Sequence, residues 1–198
     1  MSRLTRVEAE NLLKPHYERI HSCVRPAWDD YLSKYPPEVR MIHTPRTRAN
    51  ILRDHMVELA RQAFENVPNV RSLMQRGYFL VHVEGKALLR FKKLGKNRRS
   101  RNYPTQQAIA FMDNLPLDGI PESTRLDVGY QLNDLQTMIA AVLISCPRWQ
   151  GTEYVIDLEV ELQSSIPLVH EITPSQHAET QVHPKVGELK KMKNEASG

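Results

Sequence analysis

Cysteine and glycine are scarce in this chain, with two of the first and eight of the second among 198 residues. Cys23 and Cys146 are too few and too far apart to knit a disulfide framework, and both fall in segments expected to be interior, so they read as core thiols. The glycines form no phosphate-cradling loop, and no serine stands in a Gly-x-Ser-x-Gly elbow. Eight histidines are scattered without His-Glu-x-x-His spacing, and Cys-x-x-Cys is missing. These gaps count against the commonest hydrolases, kinases and dehydrogenases, and leave open a nuclease or transferase built from scattered polar residues. No catalytic residue, metal ligand or cofactor is assigned from the sequence.

Long apolar runs are missing too. The longest, residues 138–146, is only strand length, well short of the roughly 18 residues needed to cross a bilayer. The first eight residues carry Arg3, Arg6 and Glu8 where a secretory signal needs its apolar core. The expectation is a cytoplasmic protein without a membrane partner.

The composition, 40% hydrophobic and 25% charged, is ordinary for a globular chain, and the length suits one core. One α+β domain is expected over residues 1–162, helical over 1–76 and β-rich over 77–162. Residues 163–198 are expected to form a flexible polar tail, because they are too poor in aromatics to offset chain entropy.

Thr5-Arg6-Val7-Glu8 has the form of a capping box and predicts a helix start. Apolar residues then recur at Leu12, Leu13, Tyr17, Ile20, Val24, Trp28, Tyr31 and Leu32, with Pro15 and Pro26 expected to kink or divide the helix. Thr44-Pro45 opens a second helix that runs to about Asn66. From Tyr78 the period becomes two, and Glu84-Gly85-Lys86 predicts a hairpin turn into a strand over residues 87–93. A short helix is expected from Pro104 to Met112. Strands are then expected over residues 125–132, with one wet face, over 137–146, central because it is apolar on both faces, and over 154–162. The fold class that results is an N-terminal helical hairpin packed on a mainly antiparallel five-stranded sheet, with a short helix after strand two and a disordered C-terminal tail.

The densest chemical signal is residues 92–103, with six basic residues among the ten from 92 to 101. Lys92, Lys93, Lys96, Arg98, Arg99 and Arg101 can lay cations on phosphates, and Tyr103 can stack on an exposed base. Read as a solvated loop, the same segment carries no function; read as a docking loop, it takes an acidic protein partner. Asp157, Glu159 and Glu161 alternate along one expected strand, where they either hold a hard cation or, more simply, face Arg90 and Lys92 as cross-strand pairs.

Two function classes stay open. One is a small non-enzymatic binding protein that contacts nucleic acid or a protein partner through the basic loop, such as a prokaryotic regulator or one member of a toxin–antitoxin or phage-defence pair. The strand that is apolar on both faces also leaves room for a homodimer. The other class is a ribonuclease-like toxin using His82, Glu84, Arg90 or Tyr130; Glu84-x-Lys86 resembles an acid and lysine pair of metal-dependent nucleases, but no second carboxylate stands near it.

Overall fold

The computed structural model describes residues 2–164. Helix α1 (Arg6–Leu13) starts at the Thr5 capping box, with Thr5 accepting from the Glu8 amide and the Glu8 side chain accepting from the Thr5 amide. Pro15 breaks the line as expected, in a single 3-10 turn over Lys14–His16. Pro26 does not divide the helix: α2 (Tyr17–Lys34) is continuous through it. After the short α3 (Pro37–Ile42), α4 (Pro45–Ala63) begins at Thr44, whose hydroxyl accepts from the Thr47 amide.

Six strands come next rather than five: β1 (Val70–Gln75), β2 (Tyr78–Val83), β3 (Ala87–Lys93), β4 (Thr124–Leu132), β5 (Ile139–Arg148) and β6 (Gly151–Asp157). They lie side by side in sequence order, and every pair is antiparallel except β3 with β4, which is parallel. A parallel pair needs a crossover, and the segment between β3 and β4 supplies it with the short helix α5 (Gln106–Met112). The strand apolar on both faces, β5, is fifth of six and not central; β3 and β4 hold the middle. β1 escaped the periodicity because it is an edge strand with mostly exposed side chains. Its turn to β2 is a two-residue connection in which Arg76 and Gly77 both adopt positive φ, as tight hairpins favour.

The last predicted strand is cut short. β6 ends at Asp157, whose carboxylate accepts from the Glu159 amide at 3.0 Å, and α6 (Leu158–Ser164) begins there. Glu159 and Glu161 therefore stand on a helix, not on a strand face. Glu159 pairs with Arg25 at 2.6 Å and lies 3.4 Å from His21. The expected cross-strand pairing to Arg90 and Lys92 does not form, because β3 and β6 are not neighbours. Of the tail expected over 163–198, the first two residues close α6 and the rest lies outside the described residues.

The sheet separates two interiors. On one face Phe79, Val81, Leu89, Phe91, Leu126, Val128, Val142 and Ile144 meet Leu13, Ile20, Val24, Leu52 and Met56 from α1, α2 and α4. On the other, Leu80, Leu88, Phe111 and Ile120 make a smaller cluster under α5. Both cysteines are buried free thiols. No helix among the described residues is long and apolar enough to cross a membrane.

β3 and β4 come unusually close at one register position. A Cβ on Gly129 would lie 1.6 Å from the Lys92 carbonyl oxygen, so only glycine fits opposite Lys92. Gly129→Ala is expected to force the two strands apart and to destabilise the protein by about 1–3 kcal/mol, read as a lower urea midpoint at unchanged slope.

Candidate nucleic-acid interface

The second face of the central strands carries the basic residues of β3, Arg90 and Lys92, but the wet face expected on β4 is not wet. Asp127 of β4 is 0% exposed and Arg90 of β3 is 2% exposed, and they face each other across the parallel register. The Arg90 guanidinium donates to both carboxylate oxygens, at 2.8 and 3.1 Å, and lies 4.0 Å above the Phe111 ring of α5. A fork-to-carboxylate pair stacked on an aromatic is how a buried charge becomes tolerable.

That pair also fixes the basic segment. Ser100 donates to Asp127 at 2.5 Å, and its oxygen accepts from Asn102 at 2.9 Å. The chain from Leu94 to Ser100 closes as a small hairpin, bridged at its ends and turned by hydrogen bonds between Gly95 and Arg99 and between Arg98 and Gly95. Arg98 takes the left-handed conformation at the turn. Beyond Ser100 the chain reaches Thr105, which caps α5 by accepting from the Ala108 amide.

With the loop anchored, its basic residues divide. Lys92 faces the sheet's second side beside Arg90, and burial together with that guanidinium pulls its ammonium down to about 8. Arg99 turns inward and donates to the Trp149 carbonyl, while the Trp149 amide donates to Asp113. Lys96 pairs with Asp134 on the β4–β5 turn at 2.6 Å, both side chains being exposed. Arg98, Arg101 and Tyr103 are exposed, and none has a side-chain partner among the described residues.

Sequence reading missed Arg48 and Gln136, which adjoin the predicted Lys93 on this surface. Arg48 of α4 donates to the Gln136 side-chain oxygen at 2.5 Å, and Lys93 reaches the same oxygen at 3.5 Å. Burial depresses the Lys93 ammonium, and the cations of Arg48 and Arg101 add to it. Leu135 on the same turn is 81% exposed. Nothing local in the sequence distinguishes Arg48 from the other arginines of α4.

Comparison with protein-family models, with curated proteins and with solved structures finds no match to this chain. The reading rests on the geometry alone.

The residues of the nuclease reading do not converge. His82 lies 2.9 Å from the Ser123 hydroxyl, which donates to the Gly85 carbonyl, so that serine's proton is already committed. Burial lowers the His82 pKa and favours the neutral ring. Glu84 is at the exposed hairpin tip with Lys86, Arg90 is held by Asp127, and Tyr130 points into the opposite interior. A hollow of about 530 Å³ adjoins His82, Glu84 and Arg71. Among the described residues no three His, Cys, Asp or Glu side chains gather as a metal site.

Burial of these charges leads to two expected outcomes. Asp127→Asn strands the Arg90 charge in the interior and should cost about 3–5 kcal/mol, whereas Ser100→Ala removes a hydroxyl that donates to Asp127 and accepts from Asn102 and Arg90 and should cost about 1–3 kcal/mol; equilibrium denaturation checks both. For Lys92, an unfolded chain keeps its proton to about pH 10.4 while the folded protein releases it near 8. The charge penalty is complete below pH 8, and stability gains from this group as pH rises between the two values. Lys92→Met should therefore raise stability at pH 7 by about 1 kcal/mol or more, with an advantage over wild type that shrinks by pH 10.

Proposed function

We propose that this protein is a non-enzymatic, intracellular nucleic-acid-binding protein whose contact surface is the anchored loop around Arg98, Arg101 and Tyr103, extended by Arg48 and Lys93. The observation that carries the reading is the unspent charge. Of the six basic loop residues, Lys92 and Arg99 are committed to the interior side and Lys96 to Asp134, while Arg98 and Arg101 project without a partner among the described residues. Like charges kept close together repel, and a polyanion relieves that repulsion while releasing its own counterions.

The loop's construction supports the same reading. A loop closed by its own backbone and bolted to the sheet through Ser100 gives up little conformational entropy on binding, so its phosphate contacts are not offset by ordering. A net charge of +4 adds long-range attraction for an anion. An acidic protein partner is the second reading, favoured by one observation: the apolar Leu135 and Met138 stand exposed on the β4–β5 turn beside Gln136. Binding of nucleic acid by a regulator, or by one half of a toxin–antitoxin or phage-defence pair, is the biological setting we attach to the surface.

The test is binding of labelled RNA and DNA across a salt series. Affinity should fall steeply with salt, and Arg98→Ala with Arg101→Ala should reduce the slope of log K against log salt by about 2. Arg99→Ala should act mainly on stability, since Arg99 is spent on the Trp149 carbonyl. Absence of salt-dependent binding to either polymer would overturn the reading and leave the acidic partner.

A further inference from the structure

The chain has four Phe, two Trp and seven Tyr, and all of them but one are buried or half-buried. The exception is Tyr103, 82% exposed, and it stands in the basic loop two residues from Arg101. Its exposure does not come from a slack chain. On the N-terminal side Ser100 is tied to Asp127, and on the C-terminal side Thr105 caps α5. Between them the Thr105 amide donates to the Tyr103 carbonyl at 2.8 Å, closing a three-residue turn over Pro104. Proline fixes its own φ and restricts the residue before it, so the Tyr103 backbone is held while its ring is presented to solvent.

Resting on the reading of this surface given above, we infer that its ligand is single-stranded nucleic acid, with an unpaired base stacked on Tyr103 and the neighbouring phosphates on Arg101 and Arg98. A tyrosine ring offers every base the same flat apolar partner, so such contacts tolerate any sequence. Within a duplex both faces of a base are covered by its neighbours, and exposing one means unstacking it. Residues two apart in an open chain lie up to about 7 Å from each other, which puts the Arg101 charge and the Tyr103 ring within reach of one nucleotide. No basic residue on the surface needs to enter a groove for this to work. The loop itself leads from β3 to the seven-residue α5, so Arg98, Arg101 and Tyr103 are not presented on a recognition helix of the kind that reads duplex DNA.

The experiment measures fluorescence anisotropy of the full chain with labelled oligothymidylate, oligouridylate and a blunt hairpin duplex of matched length. Wild type, Tyr103→Ala, Tyr103→Phe, Tyr103→Trp and the Arg98→Ala, Arg101→Ala double variant are compared at two salt concentrations. Single strands should bind roughly tenfold or more tightly than the duplex. Tyr103→Ala should lose most of that preference while its residual salt-dependent binding matches the duplex; Phe and Trp should restore it, and quenching of the Trp variant's fluorescence by oligothymidylate should report the stack. The double variant should weaken single strand and duplex alike. Oligodeoxyuridylate added as a third single strand separates the sugar from the thymine methyl when the two single-stranded arms differ. The Tyr103 ring lies almost wholly in solvent, so an unchanged melting curve for Tyr103→Ala confirms that folding is not the cause. Equal affinity for single strand and duplex, or no effect of Tyr103→Ala, overturns this inference and leaves the phosphate-binding reading standing. Absence of binding to all three probes overturns both.

Discussion

The ion pair between Arg90 and Asp127 is the constraint around which the second face of this protein is arranged. It spans the parallel junction of β3 and β4, is closed over by Phe111 from the crossover helix, and gives Ser100 its anchor. A pair this well buried adds little net stability compared with an apolar pair of the same volume, because desolvation offsets most of the attraction. What it supplies is position. A carboxylate with two oxygens can hold the guanidinium fork and still accept from the Ser100 hydroxyl, so the loop is located on the sheet by the same group that neutralises the sheet's own charge.

That arrangement explains why the two faces are built differently. The face under α1, α2 and α4 is apolar throughout and needs only volume to be filled. The face under α5 carries Arg90, Asp127, Arg125 and Ser145, and a seven-residue helix is too small to cover them. The chain on either side of α5 completes the cover: residues 94–105 close over the Asp127 end, and Leu117 and Ile120 pack over Leu80 and Leu88. Gly129 belongs to the same scheme, since the close approach of β3 and β4 brings Arg90 and Asp127 into fork geometry while leaving no room for a side chain beside Lys92.

The helices were legible because their signals are local. The Thr5 capping box, the Thr44-Pro45 start and the break at Pro15 each act within one turn, and all three stand as read. β2, β3 and the turn between them were legible from alternation and Glu84-Gly85. Alternation reports which residues share a face, but not what lies above that face, and so Asp127 read as wet and Arg90 as part of a basic surface. Their burial depends on a loop and a helix far along the chain. Asp157 misled for a related reason: a strand and the first turn of a helix both tolerate alternating acids, and Asp157 decides between them only because its carboxylate caps α6. β1, nearly all exposed, had too little apolar pattern to register.

The basic run shows how far a charge cluster in sequence can differ from one in space. Its six cations are neighbours along the chain, yet the fold sends Lys92 and Arg99 inward, gives Lys96 an acid, and brings in Arg48 from a helix more than forty residues away. Counting charges would weigh all six alike. What matters physically is whether a cation's field is already answered by a protein group, because an answered charge offers a phosphate little and releases few counterions in exchange. By that criterion the surface reduces to Arg98 and Arg101, with Lys93 and Arg48 at its flank, and with Tyr103 as the one aromatic side chain that the fold leaves outside. Keeping it in water beside two unanswered arginines, on a backbone held at both ends, is the arrangement that a stacked base and its phosphates would complete.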